Sequence, residues 1–117
     1  HRASHSEGYF SVRTAMDYMR NNFMQSITLA DIAASVNLSE AYFHRKYHAL
    51  IGETPHQTLM NIRISVAKRM LLCSDASIYE IAEKCGFSSQ SYFHYCFKKS
   101  TGTTPDSFRK QRFIMPN

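Results

Sequence analysis

Apolar residues recur at helical spacing along most of the chain, and no stretch of useful length alternates as a half-buried strand would. Val12, Met16, Met19 and Phe23 mark the inward stripe of a first amphipathic helix. Ile32, Ala33 and Val36 mark a second, short one. Thr28 is suited to cap it, Asp31 stands three residues later to complete a capping box, and Ile27 is placed to staple onto Ile32. A third helix runs from about Glu40 to Leu50, with Phe43, Tyr47 and Leu50 inward. Thr54 then caps and Pro55 starts a long helix to about Cys73, with Leu59, Ile62, Val66, Met70 and Cys73 as its stripe. At 1.5 Å per residue it spans roughly 28 Å. Ile81, Ala82 and Cys85, then Phe93 and Phe97, then Phe108 after Thr104-Pro105 mark three more. The expected fold class is all-α, with about seven helices.

The pattern repeats. Thr28-Leu-Ala-Asp-Ile-Ala-Ala-Ser-Val-Asn-Leu-Ser39 lies over Ser77-Ile-Tyr-Glu-Ile-Ala-Glu-Lys-Cys-Gly-Phe-Ser88, an offset of 49 that one extra residue turns into 50. Tyr42-Phe43-His44 then meets Tyr92-Phe93-His94, Tyr47 meets Phe97, Gly52 meets Gly102, and Thr54-Pro55 meets Thr104-Pro105. Asn37 and Gly86 take equivalent places, and these residue types most readily adopt the left-handed conformation that ends a helix. Leu38 and Phe87 are placed to plug the angle after the turn. Ser39, and Ser88 or Ser89, are placed to cap the next helix, while Ala33 or Ala82 lets that helix cross closely. This is the grammar of helix-turn-helix, whose second helix enters the major groove. The expected organisation is a disordered or tag-like N-terminus over 1–8, a first helix-turn-helix subdomain over 9–53, a linker helix over 54–74 and a second subdomain over 75–117.

Composition narrows the class. A chain of 117 residues with 44% hydrophobic content can bury a core. No run approaches the ~18 apolar residues of a membrane span and no leader pattern opens the chain, so a cytoplasmic location without membrane contact is expected. The net charge of +5 permits a polyanionic partner. Its distribution follows the repeat. Residues 41–70 carry Arg45, Lys46, Arg63, Lys68 and Arg69 against Glu53, and the last stretch carries Lys98, Lys99, Arg109, Lys110 and Arg112 against Asp106. The segments ahead of each are slightly acidic. The three cysteines, Cys73, Cys85 and Cys96, contain no Cys-x-x-Cys pair, so reduced thiols without a metal are the expectation. No phosphate loop, His-Glu-x-x-His or nucleophile elbow is present, so neither an enzyme nor a cofactor is expected.

The string Ile81-Ala-Glu-Lys-Cys-Gly-Phe-Ser-Ser-Gln-Ser-Tyr-Phe-His-Tyr-Cys-Phe-Lys-Lys-Ser-Thr-Gly-Thr-Thr-Pro-Asp-Ser-Phe-Arg109 strongly resembles the signature of the AraC/XylS family of bacterial transcription regulators. The first copy is similar to that family's less regular N-terminal unit, and Arg63-x-x-x-Ala67-x-x-x-Leu71-Leu72 resembles its linker helix. The resemblance covers about residues 10–112. It implies a monomeric module whose two recognition helices read successive major grooves on one face of double-stranded promoter DNA. It also implies contact with RNA polymerase when the protein activates, and an effector or dimerisation domain in the full-length protein. The chain departs from the family at Tyr95, where arginine is common, and at Cys96, where a small or variable residue is usual.

The outward positions of the two recognition helices supply the candidate contacts. In the first these are Glu40, Ala41, His44 and Arg45 to bases, with Arg45 the best reader because a guanidinium bonds guanine O6 and N7 together. Glu40 either accepts from cytosine N4 or answers the helix macrodipole. In the second they are Gln90, Ser91, His94 and Tyr95, with Tyr92 read as packing. Ser39, Lys46, His48, Ser89, Lys98 and Lys99 are expected at phosphates. Two other readings stay open: a helical protein-interaction adaptor that has lost DNA binding, and a regulator switched by metal or oxidant through Cys96 and His94.

Overall fold

A computed structural model describes the backbone of residues 2–113 and the side chains from Gly8 onward. Among these residues there are seven α-helices, one 3-10 turn and no strand. The helices are α1 (Arg2–Asn22), α2 (Leu29–Ser35), α3 (Glu40–Ile51), α4 (Pro55–Cys73), α5 (Ile78–Lys84), α6 (Gln90–Thr101) and α7 (Pro105–Lys110). Of the segment 1–8, His1 lies outside the described residues, and from Arg2 the backbone already belongs to α1. Residues such as Arg2, Ala3 and Glu7 have good helix propensity, so a helix extends through them without an apolar stripe.

Helix starts follow the capping residues. Thr28 and Asp31 form a reciprocal capping box, with Asp31 N–H donating to Thr28 Oγ1 at 3.1 Å and Thr28 N–H donating to Asp31 Oδ2 at 2.9 Å. Thr54 and Gln57 do the same at the start of α4. Ser39, Ser77, Ser89 and Thr104 each accept from the backbone N–H three residues on. The turns also follow the sequence pattern. Asn37 has φ 58 and Gly86 φ 89, and the next residue in each copy bonds back to the small residue, Leu38 N–H to Ala33 O at 3.1 Å and Phe87 N–H to Ala82 O at 3.0 Å. Left-handed backbone at that point reverses the chain so that the second helix crosses the first.

The described residues divide into two compact units between Asn61 and Ile62, within the unbroken α4. In the first unit, α1 packs on α2 and α3 and contributes buried Val12, Ala15 and Met19. They meet a core made of Ile32, Ala33, Phe43, Tyr47 and Leu59. In the second unit Ile64, Ala67 and Leu71 of α4 repeat the same spacing as Val12, Ala15 and Met19, beside Ile81, Ala82, Cys85, Phe87, Phe93 and Phe97. The end of α4 therefore does for the second unit what α1 does for the first. Its start, with buried Pro55, matches buried Pro105 of α7. One helix serves as the last of one copy and the first of the next.

This double use corrects two expected stripes. On α1 the fully buried position between Val12 and Met19 is Ala15, with Met16 and Phe23 half-buried. The small residue takes the fully buried position, and the larger ones beside it stay half-buried. On α4 the buried aliphatic residues are Leu59, Ile64, Ala67 and Leu71, whereas Ile62, Val66 and Met70 are half-buried and Cys73 is exposed. A single stripe assumes one partner surface along the whole helix, and α4 has a different one for each unit. Val36 and Leu50 are likewise half-buried.

Candidate nucleic-acid interface

Each unit presents its recognition helix with one face locked and the other bare. In α3, Phe43 and Tyr47 are fully buried, their ring centroids 5.6 Å apart. The Tyr47 hydroxyl donates to Thr58 Oγ1 at 2.5 Å, and the Thr58 hydroxyl donates to Glu53 Oε2 at 2.5 Å, tying the end of α3 to α4. Burial pushes the Tyr47 phenol above its ordinary pKa, so it stays a donor. That anchoring leaves Glu40, Ala41, His44, Arg45 and His48 together on the exposed face. Lys46 is not among them. It is half-buried at the flank, with its chain so close to α1 that a Cβ on Gly8 would fall 2.3 Å from Lys46 Cε.

In α6, Phe93 and Phe97 are fully buried and stack edge-on at 5.7 Å, and Phe97 meets Phe108 of α7 at 5.4 Å. Phe97 and Phe108 thus fill with rings the place that Tyr47 and Thr58 fill with hydroxyls in the first unit. Gln90, Ser91, His94, Tyr95, Lys98 and Lys99 are all exposed. Ser39 and Ser89 are exposed at the helix starts, their hydroxyls engaged as caps. Cys96 is buried on the core side while His94 is exposed, so the pair does not converge. Among the described residues no group of three or more His, Cys, Asp or Glu is placed to hold a metal ion. Nor is any helix there long and apolar enough to cross a membrane.

Three features escaped the sequence pattern. Tyr42 and Tyr92 stand at equivalent places near the recognition-helix starts and are 42% and 40% exposed, so each is part packing and part surface. Tyr92 sits edge-on to Phe87 at 6.1 Å, and its pairing with the Cys96 thiol raises its phenol pKa. Second, Arg63 is buried. Desolvation lowers its pKa, while the Tyr92 phenol and the Cys85 and Cys96 thiols nearby favour its charge. Its helical spacing from Leu59, Ala67 and Leu71 was the available signal. Burial also pushes the Cys85 thiol up to about 11, which keeps it protonated and unreactive at neutral pH. Third, Arg109 and Arg112 serve the fold. Arg109 donates to Leu71 O and Ser74 O, each at 3.1 Å, and Arg112 donates to Ser74 O at 2.9 Å and pairs with Asp75 at 3.0 Å. Cations there answer the carbonyls that end α4. The basic character left at the recognition surfaces is Arg45 in one unit and Lys98 with Lys99 in the other.

Two helix-turn-helix units, each with its second helix anchored by aromatics and bare outside, define a helix-turn-helix DNA-binding domain. A helix-turn-helix domain family matches residues 32–111. The xylose operon regulatory protein of Escherichia coli (strain K12) is 31% identical over 99 residues, covering 85% of this chain and 25% of that protein. The HTH-type transcriptional activator RhaS of Pectobacterium carotovorum is 32% identical over 102 residues, covering 87% and 37%. The chain thus spans a quarter to somewhat over a third of these two regulators. Among solved structures, the C-terminal domain of AraT, a response regulator from Geobacillus stearothermophilus, aligns with TM-score 0.85 and 35% identity over 87% of this chain and 85% of that one. The DNA-binding domain of AdpA, solved with a target DNA, aligns with TM-score 0.84 and 26% identity, covering 88% and 93%. The chain belongs to the AraC/XylS family of transcription regulators, a family of DNA-binding and not enzymatic domains.

Proposed function

We propose that this domain binds promoter DNA sequence-specifically, with α3 and α6 reading successive major grooves. The observation that carries the reading is the repeated, rigidly backed exposed face: Glu40, Ala41, His44 and Arg45 in one copy, Gln90, Ser91, His94 and Tyr95 in the other. These are the base contacts. Ser39, His48, Ser89, Lys98 and Lys99, with Lys46 at the flank, hold phosphates and set the register. A domain acting on promoter DNA works in the cytoplasm of a bacterium. It acts as a monomeric module, while the remainder of a regulator of this kind supplies signal sensing or dimerisation, and activation proceeds through RNA polymerase. Selection of bound duplexes from a random pool, followed by salt titration, tests the reading. Binding to a defined motif with affinity falling steeply as salt rises is expected. A domain that selects no motif and shows no salt dependence would be an adaptor.

Two substitutions in α6 follow. Lys98→Ala should weaken binding to every duplex alike and reduce the salt slope by about 1, measured by titrations at several salt concentrations. Tyr95→Arg should tighten binding and sharpen base preference in the half-site read by α6. Tyrosine offers one hydroxyl and no charge, whereas arginine offers a two-pronged donor matched to guanine. Repeating the selection with this variant checks it, and an unchanged half-site with unchanged affinity would mean that Tyr95 does not face DNA.

A further inference from the structure

The two recognition helices carry a cation at equivalent positions that differ by one helical turn. Arg45 and Ala49 in α3 correspond to Tyr95 and Lys99 in α6, so the first helix carries charge at the earlier position and the second at the later. The charge in α6 is seated on a ring: Lys99 Nζ lies 5.8 Å from the Tyr95 ring centroid. Tyr95 is 60% exposed and Lys99 is exposed as well, so this pairing occurs on the outer face of α6 and not in the core. A lysine is a long, rotamer-rich chain that loses much freedom when it grips one phosphate. An aromatic face four residues earlier limits that freedom beforehand, and four residues is the spacing at which helix side chains meet.

We propose that Tyr95 and Lys99 engage DNA as one coupled unit, in which the Tyr95 ring positions the Lys99 ammonium for a phosphate while the Tyr95 edge and hydroxyl face the bases. Tyr95 is then a positioning residue as well as a contact, and α6 partly recovers through a held lysine the charge that α3 obtains from Arg45. This rests on the DNA-binding reading above.

The test is the effect of Lys99→Met on affinity for the selected duplex in three backgrounds: the unaltered chain, Tyr95→Phe and Tyr95→Leu. Phenylalanine keeps the ring and loses only the hydroxyl, whereas leucine removes the ring. Lys99→Met should weaken binding by the same factor in the first two, and by about two- to fivefold less in Tyr95→Leu, where the ammonium is no longer held. That difference should shrink at high salt. Equal factors in all three backgrounds would overturn the coupling, and so would a Tyr95→Phe background that behaves like Tyr95→Leu. Circular dichroism of each variant reports whether α6 is intact, since all the altered positions lie on its exposed face. Failure of the unaltered chain to bind any selected duplex would instead remove the DNA-binding reading itself, and the pair with it.

Discussion

Phe97→Ala should lower the stability of the second unit by about 3–5 kcal/mol, the range for deleting a fully buried phenyl ring. Phe97 has no exposed surface, and its ring lies edge-on between Phe93 and Phe108, at 5.7 and 5.4 Å. Substitution to alanine removes both ring contacts and leaves a void that α6 and α7 can close only by shifting. Small domains have roughly 5–15 kcal/mol in total, so this loss is a large share. Hydrogen exchange is the direct measurement. The slowest amides of α6 should exchange about a hundred to several thousand times faster, by the same energy range. DNA affinity should fall too, because the exposed residues of α6 are aimed by this inner face. An acceleration below about tenfold would show that the site collapses around the smaller residue and that Phe97 is not the anchor described.

The inward place of Phe97 is legible in the sequence, and so is most of the architecture. Periodicity, capping pairs and the two left-handed turn residues are local signals, each settled within one or two helical turns. The bounds of α4, Pro55 to Cys73, match the sequence expectation for that reason. Which face of α4 is buried was less legible, since burial depends on partners remote in sequence. Ala15, Ala67 and Ile64 are buried where larger or better-aligned neighbours are only half-buried.

Charge was the least legible property. The tally by segment marks residues 41–70 and the last stretch as basic, but it counts Arg63, Arg109 and Arg112 together with Arg45 and Lys98. Arg63 is buried beside thiols and a phenol, and the other two close the end of α4 across about forty residues of sequence. No local pattern distinguishes an arginine that caps a distant helix from one that meets a polyanion. The exposed face of α3 and α6, by contrast, followed from knowing which aromatics point inward.

Arg45→Ala should cost about 1–3 kcal/mol at one preferred base and little at the other three, roughly five- to 150-fold in affinity for the best duplex. The fold should be unaffected, because Arg45 is exposed on α3 opposite Phe43 and Tyr47, and alanine is the best helix former. The loss is base-dependent because a guanidinium offers two parallel donors that only guanine meets with two acceptors in the major groove. A phosphate contact has no such partner preference. Arg45→Lys separates the two roles further: it keeps the charge and removes the fork, so it should retain most of the salt dependence while losing part of the discrimination. Competition binding with four duplexes that differ at the selected position measures both quantities. If Arg45→Ala lowered affinity equally for all four, Arg45 would be a phosphate anchor. Because Tyr95 at the equivalent place in α6 has neither fork nor charge, the half-site read by α3 should tolerate fewer substitutions than the half-site read by α6.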